Sequence, residues 1–414
     1  MLIKNWVQSL RLWLAFALAI STLFLACWIF VNAPTRALLP LSVGAPEVSA
    51  WLLLASLVAI ALASVSLRTR VVARVTFVCA ALAFGLAVTP LARFSAVAGR
   101  FDSAMQKALG GATGNYSAAD PAAQLFSPTS RQFSRTAPLS VAELFGGVRR
   151  GRSRVVRGIP VGVFDGVPLT VDIYRPDGPG IFPTVVQIYG GAWQRGNPGD
   201  NAAFAEWLAA RGYVVFAIDY RHAPAAHWPA QIDDVRTDLA WIRDHASEYG
   251  ADTARVAILG RSAGAQLAMM AAYTDGPLPI RAVVSYYGPV DLVDSYEHPP
   301  HPDPLGVRTV EEIFIGGTLS ERRDAYAQAS PITYATRKLP PTLLVYGDRD
   351  HIVEARYAVR LRVKLAATGT TVVLLDIPWA DHAFDEVFNG PSSQLELYYT
   401  ERFLAWALSR GTTR

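Results

Sequence analysis

The chain has 414 residues, 51% of them hydrophobic, so it is long enough for one large domain with a full core and for further segments. Its formal net charge is +4, but arginine outnumbers lysine 34 to 4 and the basic residues form no stripe, which argues against a nucleic-acid partner. The two cysteines, Cys27 and Cys79, lie in apolar runs, so the rest of the chain has neither a structural disulfide nor a catalytic thiol.

Three uncharged apolar runs lie near the start of the chain, at 12–33, 48–67 and 75–92. Each is long enough to cross a bilayer core of roughly 30 Å as a helix. A secretory signal is the alternative for the first run, but its apolar part is too long and two more runs follow it. The sequence around Cys27 faintly resembles a lipoprotein cleavage site, although the apolar run continues past the cysteine. Residues 1–93 are therefore predicted to be a membrane anchor of three helices.

Basic residues beside membrane spans tend to stay in the cytoplasm. Lys4 and Arg11 precede the first run, and Arg68, Arg70 and Arg74 lie between the second and the third. The start of the chain and the turn between the second and third runs are therefore expected on the cytoplasmic side. Three crossings, an odd number, then place the remaining chain on the other side. The prediction is a multi-pass protein of the cell membrane whose large domain is extracytoplasmic.

After the anchor, residues 94–152 are rich in Ala, Ser, Gly and Pro and are interpreted as a connector that could cap part of the next domain. Short helices are possible within it at 101–110 and 140–146. From residue 153 to 414, β-branched runs alternate with helical stretches, which predicts an α/β fold with a mostly parallel sheet. The first two runs, joined at Asp165-Gly166, have the pattern of a hairpin. The eight expected strands are 155–164, 167–174, 184–188, 214–218, 256–259, 282–286, 342–346 and 371–375. The expected helices, on both faces of the sheet, are 202–211, 231–249, 263–273, 354–367 and 395–409.

One serine stands out, because Gly260-Arg-Ser-Ala-Gly264 places Ser262 between a predicted buried strand and a helix. The two glycines permit a tight turn that lifts the hydroxyl above the sheet edge, where the helix N-terminus favours developing negative charge. The alternative is that Ser262 only caps the helix, and the motif alone does not decide between the two. A nucleophile also needs a histidine base, an acid and an oxyanion site.

His382 is the candidate base, because it follows the last predicted strand and a loop there can carry an imidazole over the sheet edge. The other six histidines precede Ser262, lie on a polar helix face or in a Pro-rich loop, or adjoin the candidate acid. The acid is expected at the end of another strand between Ser262 and His382, where Asp348 and Asp350 both occur. Asp350 is chosen because it has room to turn inward, whereas Asp348 is better placed to bind its neighbour Arg349. A solvated loop carboxylate is the alternative for Asp350.

Acyl transfer also needs hydrogen-bond donors for the tetrahedral oxyanion. The segment 187–193 contains two glycines after the strand that precedes the first crossover helix. The backbone N–H groups of Gly191 and Ala192 are the candidate donors, together with that of Ala263; a plain Gly-Gly turn is the alternative. The oxyanion loop, serine, acid and histidine occur in this order, each at a strand's end, and this coincidence favours a catalytic site.

The motifs from 153 to 410 resemble the α/β-hydrolase superfamily, and within it the esterases and lipases similar to hormone-sensitive lipase and to the bacterial feruloyl-esterase and kynurenine-formamidase-like groups. The resemblance rests on 260–264, on Tyr189-Gly-Gly-Ala-Trp193 where these families have His-Gly-Gly-x-Trp, and on the segments 219–224 and 228–234. It implies the α/β-hydrolase fold and a role beside the active site for Tyr220, Arg221 and Pro224. Tyr189 departs from the usual histidine, which braces the oxyanion loop.

These observations predict a membrane-anchored serine carboxylic-ester hydrolase, similar to esterases and lipases, that needs no cofactor and acts on a small-molecule or lipid ester. The alternative is a hydrolase-fold binding or regulatory membrane protein without turnover. Transport is disfavoured because the three spans contain no ionisable residue.

The segment 290–337 interrupts the strand pattern and is expected to form part of a lid or acyl pocket. Its Tyr296 and Phe314 either line that pocket or pack in the core. His298, His301 and Asp303 lack a convincing metal ligand set, so no metal site is predicted.

Overall fold

The N-terminal part of the chain is helical in the computed structural model, which describes residues 2–66, 70–110 and 135–409. Its helices are α1 (Leu2–Cys27), α2 (Leu39–Glu47), α3 (Ser49–Ser64) and α4 (Val71–Leu109). By length and composition, α1 and α4 are able to cross a membrane. The pair α2 and α3, bent by 78° at a short break, makes a third span if it is counted as one.

The long helices contact one another through small side chains. Ala19, Ala59 and Ala80 form one buried cluster between α1, α3 and α4, and a second cluster nearer the end of α1 contains Ala26 and Ala87. Small residues allow close approach of helix backbones, a kind of packing that is also common between helices in membranes. At the opposite end, Arg70 donates to the Ser9 hydroxyl at 2.9 Å, so the start of α4 lies beside the first turns of α1.

Helix α4 differs from the sequence expectation, because it continues well beyond the predicted span 75–92 and through the expected boundary at residue 93. Its C-terminal turns bury Phe94, Phe101 and Met105 against the large domain. The hydroxyl of Tyr399 donates to the carbonyl of Ala98 at 2.8 Å. The first part of the expected connector is thus a rigid extension of a candidate span, and residues 111–134 of that connector lie outside the described residues. A short helix, α5 (Val141–Gly146), follows them.

The eight-stranded, mostly parallel sheet that the sequence predicts is confirmed. Its strands are β1 (Ser153–Phe164), β2 (Val167–Pro176), β3 (Phe182–Ile188), β4 (Val214–Ile218), β5 (Ala251–Arg261), β6 (Ala282–Tyr286), β7 (Thr342–Gly347) and β8 (Val372–Ile377). The spatial order is β1-β2-β4-β3-β5-β6-β7-β8. β1 and β2 form the expected hairpin, with Asp165 and Gly166 at positive φ angles of 49° and 79°, as a two-residue turn requires.

Helices complete the domain: α6 (Ala202–Ala209), α7 (Ala230–His245), α8 (Ala263–Tyr273), α9 (Leu292–Glu297), α10 (Val307–Ile315), α11 (Leu319–Gln328), α12 (Ala355–Ala367) and α13 (Pro391–Ala407). The central strands β3 to β7 are parallel, so their carboxyl ends meet at one edge of the sheet. α9, α10 and α11 come from the segment 290–337, which lies over that edge. The fold is that of an α/β hydrolase.

Candidate active site

Ser262 occupies the tight turn between β5 and α8. Its backbone has φ 50° and ψ −122°, a strained conformation for a residue with a side chain. The flanking glycines are required by space: a Cβ on Gly264 would lie 2.2 Å from the carbonyl oxygen of Tyr189, and one on Gly260 2.2 Å from the carbonyl oxygen of Gly264. The serine hydroxyl makes no cap hydrogen bond to α8, so this turn presents the hydroxyl instead of using it as a helix cap.

The side chains of Ser262, His382 and Asp350 lie in one line of hydrogen bonds. His382 Nε2 is 3.0 Å from Ser262 Oγ, and His382 Nδ1 is 2.8 Å from Asp350 Oδ2. Asp350 and His382 are buried, with 4% and 7% exposure. The imidazole is therefore oriented by a carboxylate on one side and available to a hydroxyl on the other, as a general base for a serine requires.

Asp348 and His351, the other acid and histidine in the same loop, take no part in this line of hydrogen bonds. Asp348 is exposed, and it does not hold Arg349 locally, because the Arg349 guanidinium donates to the carbonyls of Trp28 and Ile29 and to the Asn32 side chain. His351 pairs with Asp381 at 3.0 Å.

The candidate oxyanion donors lie next to the serine. Gly191, Ala192 and Ala263 line the same cavity as Ser262 and His382. Gly191 and Ala192 have φ angles of 127° and 57°, and a Cβ on Gly191 would lie 2.1 Å from the Arg195 carbonyl oxygen. Ala263 is the first residue of α8, so its N–H has no acceptor within the helix. Such donors stabilise the negative charge that develops on a carbonyl oxygen.

Tyr189, at the start of this loop, holds a polar network with its phenol. The hydroxyl donates to Asp219 Oδ1 at 2.5 Å and lies 2.9 Å from His222 Nε2, while the ring stacks on Tyr220 at 4.6 Å. Burial, with the neighbouring Tyr220 and the Asp219 carboxylate, raises the pKa of Tyr189 far above its ordinary value. Burial also lowers the pKa of His222. The phenol therefore keeps its proton at neutral pH and can brace the loop as a donor.

Trp193 connects the loop to two further elements. Its Nε1 donates to Gln266 of α8 at 3.0 Å, and Gln266 in turn donates to the Ala329 carbonyl at 2.6 Å. Its ring stacks on Phe314 at 4.0 Å. Phe314 therefore packs in the core, and Tyr296 stands against Tyr326 at 5.4 Å, so neither aromatic is among the residues that line the cavity.

The segment 219–224 is fixed by an ion pair between a partly buried arginine and a buried aspartate. The Arg221 guanidinium binds both oxygens of Asp234 at 2.7 to 3.0 Å, and Asp234 also accepts the Arg221 backbone N–H at 2.8 Å. Arg221 also binds Asp165, in the turn of the β1–β2 hairpin. The two segments singled out by the resemblance, 219–224 and 228–234, therefore hold each other beside the oxyanion loop.

Sequence reasoning missed Tyr287, whose ring lies 4.7 Å from that of His382 and whose hydroxyl donates to Asp385. Arg261, next to Ser262, binds the same carboxylate. Both residues are buried and hold the histidine loop against the end of β5. The signal in the sequence was Arg261 itself, a charged residue between the apolar run 256–259 and Ser262.

Sequence reasoning also missed one wall of the cavity. The cavity has a volume of about 690 Å³ and contains Ser262 at its surface. Four residues of α2 line it, namely Leu39, Pro40, Val43 and Gly44. The expected acyl-pocket segment contributes as well, through Ser295, Leu305, Val307 and Val310. A signal for α2 was present in Glu47, a lone carboxylate directly before an apolar run.

Within the described residues, no group of three or more His, Cys, Asp and Glu side chains is arranged to hold a metal ion. Asp303 accepts the backbone N–H groups of Gly306 and Val307 at 2.8 Å each, so it serves the start of α10.

Comparison with known proteins gives a family match and curated relatives. The BD-FAE family model matches residues 171–365. The chain is 32% identical over 251 residues to the probable carboxylic ester hydrolase LipM of Mycobacterium tuberculosis, covering 57% of each protein. It is 33% identical over 220 residues to the esterase LipC of the same organism, covering 49% of this chain and 53% of LipC. The chain thus spans a little over half the length of these relatives.

Among solved structures, the chain is similar to a bacterial heroin esterase, with a TM-score of 0.55 and 24% identity over 62% of this chain and 84% of that one. At this identity the likeness establishes the fold alone. The strand order, the order of the motifs and this structure agree on the α/β-hydrolase fold, and the two curated relatives are named as a probable carboxylic ester hydrolase and an esterase.

Proposed function

We propose that this chain, an α/β hydrolase of the esterase and lipase kind, is a membrane-anchored serine hydrolase of carboxylic esters. The observation that carries the proposal is the line of hydrogen bonds from Asp350 through His382 to Ser262, at the surface of a cavity that also contains the candidate oxyanion donors. The ester hydrolase names of LipM and LipC support it further.

In the proposed mechanism, His382 Nε2 takes the proton from Ser262 Oγ as the oxygen attacks the ester carbonyl. The backbone N–H groups of Gly191, Ala192 and Ala263 stabilise the tetrahedral oxyanion. His382 then gives its proton to the leaving alcohol, and an acyl group remains on Ser262. Water, activated by the same imidazole, attacks this acyl group and releases the acid. Asp350 holds the imidazole tautomer and stabilises the imidazolium throughout.

A fluorophosphonate probe combined with p-nitrophenyl ester hydrolysis tests this mechanism. The full chain should react covalently at Ser262 and hydrolyse the ester, and Ser262→Ala should abolish labelling and lower turnover about 10⁶-fold. Ser103→Ala, which changes an exposed serine on α4, is the matched control and should behave as the unmodified chain. Unlabelled full-length protein without ester turnover would instead support a binding protein with a hydrolase fold.

We also propose that α1, α4 and the bent pair α2–α3 anchor the chain in the cell membrane, with the catalytic domain outside the cytoplasm. The contact of Arg70 with Ser9 supports a common side for the basic ends that the charge rule assigns to the cytoplasm. A membrane-impermeant fluorophosphonate should label Ser262 in intact cells. Labelling that appears only after lysis would reverse the assigned orientation.

A further inference from the structure

We infer that α2 of the membrane anchor is part of the substrate-binding cavity, and that the substrate is an ester with a long apolar chain taken up from the bilayer. The inference rests on the proposed function of Ser262, and it identifies the substrate class for that site. It comes from three features of the molecule: the lining of the cavity, the attachment of α2, and the position of α2 beside α3.

The cavity lining suits an aliphatic chain. Leu39 and Val43 of α2 face the same space as the aliphatic side chains Val290, Val307, Val310 and Val353 of the catalytic domain. A cavity of about 690 Å³ lies within the usual range for sites that enclose an organic ligand. Removing α2 would open one side of this space, so the catalytic domain alone does not complete it.

The attachment of α2 to the catalytic domain is specific. Glu47, buried at its end, accepts the backbone N–H of Ser392 at 2.9 Å and the Ser392 hydroxyl at 2.6 Å, and Trp379 donates to that hydroxyl. A buried carboxylate is costly unless it is hydrogen-bonded, so these donors fix where α2 lies. Arg349, the neighbour of Asp350, binds the segment between α1 and α2, through the Trp28 carbonyl and the Asn32 side chain.

The position of α2 places the cavity at the membrane boundary. Gly44 lies five residues before the start of α3, and Pro40, which also lines the cavity, is exposed, so the cavity reaches the surface at α2. Trp51 in the first turn of α3 is 48% exposed and packs against Phe145, which is 41% exposed. Exposed aromatic rings at the ends of spans are typical of the lipid–water interface. An apolar chain therefore has a short path from the bilayer to Ser262.

Enlarging the wall residues tests the role of α2. Gly44 has open space where a Cβ would be, and its φ is not positive, so Gly44→Phe adds a ring without backbone strain; Val43→Trp enlarges a side chain that already lines the cavity. In vesicles that contain the full chain, both variants should lower the ratio of kcat/KM for long-chain to short-chain p-nitrophenyl esters about tenfold or more.

Leu41→Trp is the matched control. It adds the same ring as Val43→Trp, on a residue that lies about 160° around α2 from Val43 and does not line the cavity, and it should keep the ratio of the unmodified chain. Unchanged ratios in both wall variants, with short-chain hydrolysis retained, would overturn the inference. Lack of any ester hydrolysis by the unmodified chain would instead refute the proposed function, and the two failures are therefore distinguishable.

The source of the ester is tested separately. A long-chain ester is placed in the same vesicles as the full-length protein, or in separate vesicles at the same total concentration. Hydrolysis should be several-fold faster when enzyme and ester share a bilayer. Equal initial rates would mean that the ester arrives through water, which would overturn uptake from the bilayer.

Discussion

Asp350 uses both carboxylate oxygens, and only one of them faces His382. Oδ2 lies 2.8 Å from His382 Nδ1, while Oδ1 accepts the backbone N–H groups of Ile352 and Val353 at 2.9 and 2.8 Å. The loop after β7 thus fixes the orientation of the carboxylate before any substrate binds. The second oxygen cannot rotate toward the imidazole without giving up two hydrogen bonds.

This geometry predicts that Asp350→Asn is severe. An amide here favours the wrong imidazole tautomer, and kcat for a p-nitrophenyl ester should fall about 10³-fold to 10⁴-fold. Asp348→Asn makes the same chemical change two residues earlier, on an exposed side chain, and should alter kcat less than about threefold. Similar losses in the two variants would refute the assignment of Asp350.

The network around Tyr189 predicts that loss of its hydroxyl lowers kcat, but less than the change at Asp350 does. Tyr189→Phe removes the hydroxyl that donates to Asp219 and should lower kcat on the order of tenfold with little change in KM, because a displaced loop acts on the transition state. Tyr220→Phe is the control: it removes the hydroxyl of the stacked ring, which reaches only the Tyr189 carbonyl at 3.4 Å. Steady-state kinetics on a short-chain ester should separate the two variants. If Tyr189→Phe kept the kcat of the Tyr220→Phe control, the hydrogen bond from the Tyr189 hydroxyl to Asp219 would not be what positions the loop.

The sheet could be predicted from the sequence because its signals are local. Each of the eight apolar runs is flanked by turn residues, and β4, from Val214 to Ile218, has the bounds that its pattern indicates. The expected site residues could also be chosen from chain order, because the carboxyl ends of parallel strands meet at one edge.

The wall formed by α2 could not be predicted in this way. It depends on contacts between residues more than 300 positions apart, Glu47 with Ser392 and Arg349 with Asn32. The extension of α4 was a different failure, since Phe94, Phe101 and Met105 have helical spacing. The sequence indicated a short helix at 101–110, but not its continuity with the predicted span at 75–92.

The contact between Glu47 and Ser392 predicts that substitutions at these two residues have non-additive effects. Glu47→Gln and Ser392→Ala should each increase hydrogen exchange in residues 36–47 and lower long-chain ester turnover, because each removes part of the same buried pair. The double variant should be hardly worse than the more severe single one. Glu248→Gln, on an exposed residue far along the chain, is the control for loss of a carboxylate. Fully additive effects would show that the two residues act independently and that this pair does not hold α2.

His351 and Asp381 form a second histidine–carboxylate pair behind the active site, joining the loop of Asp350 to that of His382. Both side chains are buried, and His351 Nδ1 lies 3.0 Å from Asp381 Oδ1. Burial opposes the charged imidazole, but the hydrogen bond and the charge of Asp381 outweigh it and raise the pKa of His351 above 6.5. The backbone carbonyl of Arg349 and the charge of Asp350 make smaller contributions in the same direction.

Because the pKa of His351 is higher in the folded than in the unfolded chain, its contribution to stability is complete below the unfolded value and is lost as pH rises through the folded value. His351→Gln should therefore lower the unfolding temperature of the full chain more at about pH 5.5 than at about pH 9. His301→Gln, on an exposed histidine, is the control. A loss that is the same at both pH values would mean that His351 stabilises the two loops by packing and not by charge. A larger loss at the higher pH would contradict the direction of the pKa shift itself.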